Sequence, residues 1–367
     1  MVTVSLCMIV KNEEVVLARC LDSVEGLTDE IIIVDTGSTD RTKEIASGYT
    51  SKVFDFIWKD DFAAARNYSF SKAEMDYCMW LDADDIIEEP EKIKFLELKK
   101  TLPAQTDIVM MKYHTAFDEN GAPVFSFNRE RWIRNDSSHF WIGAVHEVIA
   151  PEGEIVYSDF AVSHRKIKPG DQDRNLKIYE KLMEEKTELE PRQQYYYGRE
   201  LYSHERYGEA VEVFLAFLQQ PFGWKENKIE ACALCANCYL KLKQEEPALH
   251  MLLRSMEFDT PRAELCCDLG KYFLDREKYD MAVYWYETAS EAEKDMTRGG
   301  FVSPDCYDYI PYLQLCVCYD KKGDRKKARE YNEKAGKYKP DSKAYLFNRQ
   351  YFEKLEECPD LTVTLQE

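Results

Sequence analysis

Apolar and polar positions follow two rhythms along this chain, and the change falls near Asp171. Before it, short apolar runs alternate with helical stretches. Val2–Val10 predicts a strand, Glu13–Glu25 a helix, and Glu30–Asp35 a second strand bounded by the turn Thr36-Gly37-Ser38. Ser38, Thr39 and Asp40 are candidate caps for a helix over Arg41–Tyr49. Val53–Ile57 predicts a strand, Ala63–Ala73 a helix and Tyr77–Leu81 a strand. Asp107–His114 and Phe125–Ile133 predict two more strands, with a hairpin at Asn120-Gly121, and a last strand is expected just before Phe160–Asn175. Strands alternating with crossover helices imply an α/β unit with a mostly parallel sheet.

After Asp171 the period is helical throughout. Aligning Ala210, Ala248, Ala282 and Ala328 brings mostly small residues into register twelve positions earlier: Gly198, Ala236, Gly270 and Cys316. Leu201, Tyr239, Phe273 and Tyr319 recur nine positions before the alanines, and Phe214, Leu252, Tyr286 and Asn332 four after. Pro221, Pro261 and Pro340 close three of the units, and the third carries an insertion around Thr297–Asp308. Small residues where two helices cross, with large ones filling the groove, describe a helical-hairpin repeat.

The chain has 367 residues, 45% of them apolar, so two domains with real cores are expected. A net charge of −19 repels phosphate backbones, which argues against nucleic acid as a partner. No stretch reaches the about 18 apolar residues of a membrane span. Met1 runs almost directly into a strand, leaving no room for a signal peptide. The 12 cysteines sit in apolar helical or strand patterns, so reduced thiols in a cytoplasmic protein are the expectation. Cys232, Cys235 and Cys238 fall in a repeat helix and are read as packing rather than as zinc ligands.

The chemistry-bearing residues stand at strand ends. Asp35 closes the second strand, where a carboxylate can accept the imide N–H of uracil. Asp82-Ala83-Asp84 follows Cys78–Leu81 and puts two carboxylates one residue apart, where an open α/β sheet binds its ligand. A close acidic pair there suits a divalent cation holding a diphosphate. Arg66, in WKDDFAAARNYSF (Trp58–Phe70), can pair with a diphosphate or with Asp82, or form a surface ion pair with Asp60 or Asp61. The stretch Phe127–Ile149 gathers aromatic, His and Arg residues: Trp132, Trp141 and His146 are candidates for acceptor binding or for core packing. Within it, Arg129–Trp132 (RERW) faintly resembles the acceptor motif of membrane-embedded polysaccharide synthases, an echo discounted because no membrane helix is present.

SLCMIVKNEE (Ser5–Glu14), EIIIVDTGSTDRT (Glu30–Thr42) and CMWLDADD (Cys78–Asp85), in that order, resemble the inverting family 2 glycosyltransferases of the GT-A fold. The later repeats resemble the tetratricopeptide repeat. The resemblance implies a GT-A domain over residues 1–170 and a tetratricopeptide-like domain over 171–367, a layout shared with bacteriocin S-glycosyltransferases. It implies Asp35 at the base, Asp82 at the ribose, and Asp84 with His164 on Mn²⁺ or Mg²⁺, with Ala83 between the two acids. Backbone near Val10 would line the base pocket, Glu13 would reach ribose or base, and Arg66, Arg165 and Lys166 would approach the diphosphate. Asp85 is read as a cap. Glu147 is the candidate general base, with Asp136 in reserve. The chain departs from the family at Thr36, where many members carry a second Asp, and at Ile9 and Lys11, where a proline and an aromatic are common. The expected reaction moves one sugar from a nucleotide donor, UDP-linked, to a peptide or protein side chain. Rival readings are a saccharide-acceptor transferase of lipopolysaccharide or capsule assembly, and a non-catalytic nucleotide-sugar-binding scaffold. The repeats would serve acceptor binding or homodimerisation.

Overall fold

The computed structural model describes residues 1–118, 121–167, 170–295 and 302–357. They fall into two compact units, Met1–Thr187 and Glu188–Glu367.

In the first unit, β1 (Val4–Val10), α1 (Leu17–Ser23), β2 (Glu30–Asp35), α2 (Thr42–Tyr49), β3 (Val53–Asp55), α3 (Phe62–Phe70) and β4 (Tyr77–Trp80) alternate as expected. Then come β5 (Asp85–Ile86), α4 (Glu89–Thr101), β6 (Ile108–Phe117), β7 (Pro123–Arg134), the short pair β8 (Trp141–Ile142) and β9 (Val148–Ile149), β10 (Ile155–His164) and α5 (Arg174–Glu184). Eight strands form one sheet in the order β3-β2-β1-β4-β7-β6-β10-β5. The β1–β2, β2–β3, β1–β4 and β6–β10 pairs are parallel, while β7 runs antiparallel to both β4 and β6. β1, β2, β4 and β10 therefore all end on the same edge. β1 is buried on both faces: Val4, Leu6, Met8 and Val10 join a core with α1, Phe95 and Trp132, while Cys7 packs on the other side with Ile32, Val34 and Cys78. Two-sided burial is why these strands read as continuous apolar runs. Asn120 of the expected hairpin lies outside the described residues; its neighbour Gly121 takes φ +81.

α1 opens four residues later than the pattern predicts. Asn12 takes φ +57, and its N–H and Oδ1 bond Ser38 Oγ and the Thr39 N–H at 2.9 and 2.8 Å. Ser38 and Thr39 thus join the loops after β1 and β2 instead of capping α2. Asp40 stays near its expected role, accepting from the Thr42 N–H at 3.0 Å.

The second unit is all helix. α6 (Pro191–Ser203) pairs with α7 (Tyr207–Gln219), α8 (Lys225–Lys241) with α9 (Glu245–Arg254), α10 (Ala263–Leu274) with α11 (Tyr279–Glu291), and α12 (Tyr309–Lys321) with α13 (Arg325–Tyr338); α14 (Lys343–Glu357) follows. These are tetratricopeptide-like hairpins, and their hydrogen bonds keep the register of the sequence alignment. In each turn the carbonyl of Leu201, Tyr239, Phe273 or Tyr319 accepts from the N–H five residues on. The residue between takes a left-handed φ: Glu205 +59, Lys243 +59, Glu277 +58, Gly323 +83. The small positions face the large ones. A Cβ on Gly198 would stand 2.6 Å from Phe214, and one on Gly270 would stand 2.8 Å from Tyr286. Of the insertion at Thr297–Asp308, residues 297–301 lie outside the described residues. Cys232, Cys235 and Cys238 are buried free thiols of α8, and burial pushes each up to about 12, far from a ready thiolate ligand.

Candidate active site

The site is assembled on the edge where β1, β2, β4 and β10 end. Asp35, the last residue of β2, is 2% exposed. Its Oδ1 accepts from the N–H groups of Gly37 and Ser38 at 3.0 and 2.9 Å, while its buried Oδ2 has no partner among the described residues. Thr36 turns back onto β1: its N–H and hydroxyl both donate to the Val10 carbonyl, at 2.9 and 3.1 Å. That carbonyl is therefore taken by Thr36. Glu13 is half-buried, with its N–H on Thr42 Oγ1 at 2.7 Å.

Beyond β4, Asp82 and Asp84 flank Ala83, which is buried in the core. Their surroundings push the two acids apart. Burial raises Asp82, but the Arg66 guanidinium outweighs it and holds this carboxyl well below the usual carboxylate range. Asp84 is raised first by burial, then by the neighbouring Asp82 and Asp85, with His164 and a backbone hydrogen bond opposing. His164, ending β10, stands with Nδ1 3.4 Å from Asp84 Oδ1 and 3.1 Å from Asp85 Oδ1. Its pKa is raised, first by the bond to Asp85 and then by Asp84, against the cost of burial. Asp84, Asp85 and His164 can each offer one ligand atom, all within 4.8 Å of one another.

Arg66 projects from α3, whose start is capped by Asp61 Oδ1 on the Ala64 N–H at 2.9 Å. It is buried between Trp80 and Trp141, its Cζ 4.8 and 4.9 Å from their rings. Nη2 donates to Asp82 Oδ1 at 2.9 Å and Nε to Glu147 Oε1 at 2.7 Å, while buried Nη1 has no partner among the described residues. The alternative of a surface pair is excluded, since Asp60 instead bonds Trp58 and Lys181. Glu147 is 13% exposed on its side chain and so sits across one guanidinium from Asp82. Its segment is fastened to α3: Asn67 exchanges two hydrogen bonds with the Trp141 backbone at 2.8 and 2.9 Å, and the Phe62 N–H donates to the Ala144 carbonyl at 2.8 Å. His146, at φ +52, turns the chain just before Glu147.

Residues 5–141 match the glycosyl transferase family 2 description. The N-terminal unit carries a family 2 glycosyltransferase domain. A TPR repeat-containing protein of Synechococcus elongatus is 40% identical over 116 residues, 28% of this chain and 29% of that protein. The SPbeta prophage-derived glycosyltransferase SunS of Bacillus subtilis is 26% identical over 285 residues, 74% of this chain and 65% of SunS. A lipopolysaccharide core biosynthesis glycosyltransferase, LpsC of Rhizobium meliloti, is 27% identical over 161 residues, 41% of this chain and 58% of LpsC. The chain spans less than two thirds of each of these relatives.

Several expected residues of the family 2 domain take other roles. Trp132 is fully buried edge-on to Phe95 and beside Tyr77, leaving no face for a sugar. Trp141 is likewise closed in by Trp80 and Phe70, and it meets the site only through Arg66. Asp136 closes a local turn, accepting from the Ser138 N–H at 2.9 Å. Arg165 bonds Glu88 through Nε and Nη2 at 3.1 and 2.9 Å and stacks over Phe117, so its head is spent away from the acids; Lys166 is exposed. Asp85 is no cap. It is fully buried, belongs to β5, and pairs with Arg131 at 3.0 Å. Asp85, Arg131 and Tyr113 are the members of this edge that the sequence pattern misses.

Proposed function

We propose that this edge transfers one sugar from a UDP-sugar to an acceptor nucleophile with inversion at the anomeric carbon. The observation that supports it most is the convergence of Asp82, Asp84, His164, Arg66 and Glu147 around one guanidinium and one imidazole. The unpartnered Oδ2 of Asp35 suits the imide N–H of uracil, and Asp82 suits the ribose. Four carboxylates (Asp82, Asp84, Asp85, Glu147) face two guanidiniums (Arg66, Arg131), an excess of negative charge that fits a divalent cation. A carboxylate and an imidazole, from Asp84 and His164, suit Mn²⁺ better than Mg²⁺, which prefers oxygen ligands throughout. When bound, the cation neutralises charge on the departing diphosphate.

The chain's own groups do the remainder. Glu147 accepts the acceptor's proton while the acceptor oxygen or sulfur bonds to C1 and the C1–O bond to the diphosphate breaks. Arg66 bonds both Asp82 and Glu147 and holds the Asp82 carboxyl below the usual carboxylate range, which fixes the two acids across the site. A polypeptide side chain is the acceptor the helical repeats favour; similarity to LpsC supports a saccharide acceptor as the second reading.

The test is UDP release from a panel of UDP-sugars with Mn²⁺, with the product anomer assigned by NMR. Glu147→Gln is expected to bind donor normally and to lose transfer. Retained transfer in that variant would place the base elsewhere, and a retained anomer would contradict the single displacement.

A further inference from the structure

The RERW string, discounted as a sequence echo, delivers a buried charge to the site. Val109 pairs with Trp132 but Met110 pairs with Glu130, so Arg131 is the extra residue of a β-bulge in β7. Bulges re-aim side chains, and this one turns Arg131 into the unit. Its guanidinium is wholly buried, 3.7 Å over the Trp80 ring and 4.4 Å over the Tyr113 ring. Nη1 donates to Asp85 Oδ2 and to the Trp80 carbonyl, both at 3.0 Å. Asp85 in turn holds both flanks of Asp84. Its Oδ2 accepts from the Asp82 N–H at 3.1 Å, and its Oδ1 accepts from the Tyr113 hydroxyl at 2.8 Å, 3.1 Å from His164 Nδ1. The Tyr113 hydroxyl also stands 2.9 Å from that same ring nitrogen.

Stability alone does not account for this arrangement. A buried ion pair is commonly matched or bettered by apolar residues of the same volume. Arg131 also leaves Nε and Nη2 buried with no partner among the described residues, a cost the fold carries. What the pair does secure is geometry: the backbone after β4, the ring of His164, and the two-residue β5 joined to β10 all meet at Asp85.

We propose that Arg131, Asp85 and Tyr113 are positioning residues that set Asp84 and His164 at the spacing needed to share one divalent cation. This rests on the metal reading given above. Partners behind metal ligands typically change affinity by about 10–100-fold when removed.

The experiment titrates the full chain with Mn²⁺ alone, following free Mn²⁺ by its EPR signal, for the wild type, Tyr113→Phe and Arg131→Lys. Tyr113→Phe deletes one hydroxyl and is expected to stay folded, with one cooperative melt at a modestly lower temperature, while binding Mn²⁺ at least tenfold more weakly. Arg131→Lys, which keeps the charge but loses the planar fork, is expected to weaken binding similarly. A wild type that binds Mn²⁺, with Tyr113→Phe binding equally well, overturns the positioning role. A wild type that binds no Mn²⁺ overturns the metal reading itself, and the two failures are distinct.

Discussion

Gly198 and Arg131 are both buried, one in each unit, and opposite physics keeps them there. Gly198 stands against the Phe214 ring because nothing larger fits, and the same relation recurs at Gly270 with Tyr286. The helical unit is thus ordered by volume: small against large, with a left-handed residue at every hairpin turn. Arg131 stands against Trp80 because Asp85 requires a counter-charge at the sheet edge. That edge is ordered by charge, with carboxylates spaced so that one is held low and its neighbour raised. Volume order serves packing and repeats itself along the chain. Charge order serves chemistry and is gathered where the strands end.

Substitutions that treat one region by the other's rule should break the contrast. Arg131→Leu leaves Asp85 buried without its guanidinium partner, and a loss of about 3–5 kcal/mol is expected in urea unfolding. Adding Asp85→Asn to that variant should restore part of the loss, because the stranded charge is then gone. Asp84→Asn should leave the melting temperature near wild type but lower metal-dependent turnover by about 100-fold or more, the scale of one lost group facing transition-state charge. Gly270→Ala drives a methyl into Tyr286 and should cost about 1–3 kcal/mol in unfolding, with Mn²⁺ affinity unchanged.

Gentler changes sharpen the contrast. His164 is raised above its ordinary 6.5, and a cation must displace its proton. Mn²⁺ affinity should therefore climb as pH rises through and above 6.5, with proton release on binding visible in buffers of different ionisation heat. Asp84, raised above 3.8, should add a second decline at more acid pH. The smallest effect belongs to the helical unit: Glu277→Gly relieves a left-handed φ of +58 and should stabilise by less than about 1 kcal/mol.

The same contrast explains what the chain discloses before folding. β1, β2 and β4 are legible because burial on both faces makes them unbroken apolar runs, and Asp35, Asp82 and Asp84 are legible because they stand where those runs stop. The repeat register is legible because small and large positions recur together, down to the carbonyls of Leu201, Tyr239, Phe273 and Tyr319 that close each turn. Gly336, against Tyr345 of α14, escaped the alignment because it stands outside the four-alanine frame. Arg131 and Asp85 were illegible for another reason: they are 46 positions apart, and a bulge breaks the alternation that would have shown which way Arg131 points. Likewise the position of Trp132 in an aromatic-rich stretch suggested a sugar platform, while its depth under Phe95 is set by the sheet.

The central claim is that this sheet edge is a metal-dependent site for a nucleotide donor. Calorimetric titration of the full chain with UDP, with and without Mn²⁺, tests it most directly. The account predicts UDP binding that strengthens markedly with Mn²⁺ and loses that gain in Asp84→Asn. UDP affinity indifferent to Mn²⁺ in the wild type, or no binding at all, would contradict it.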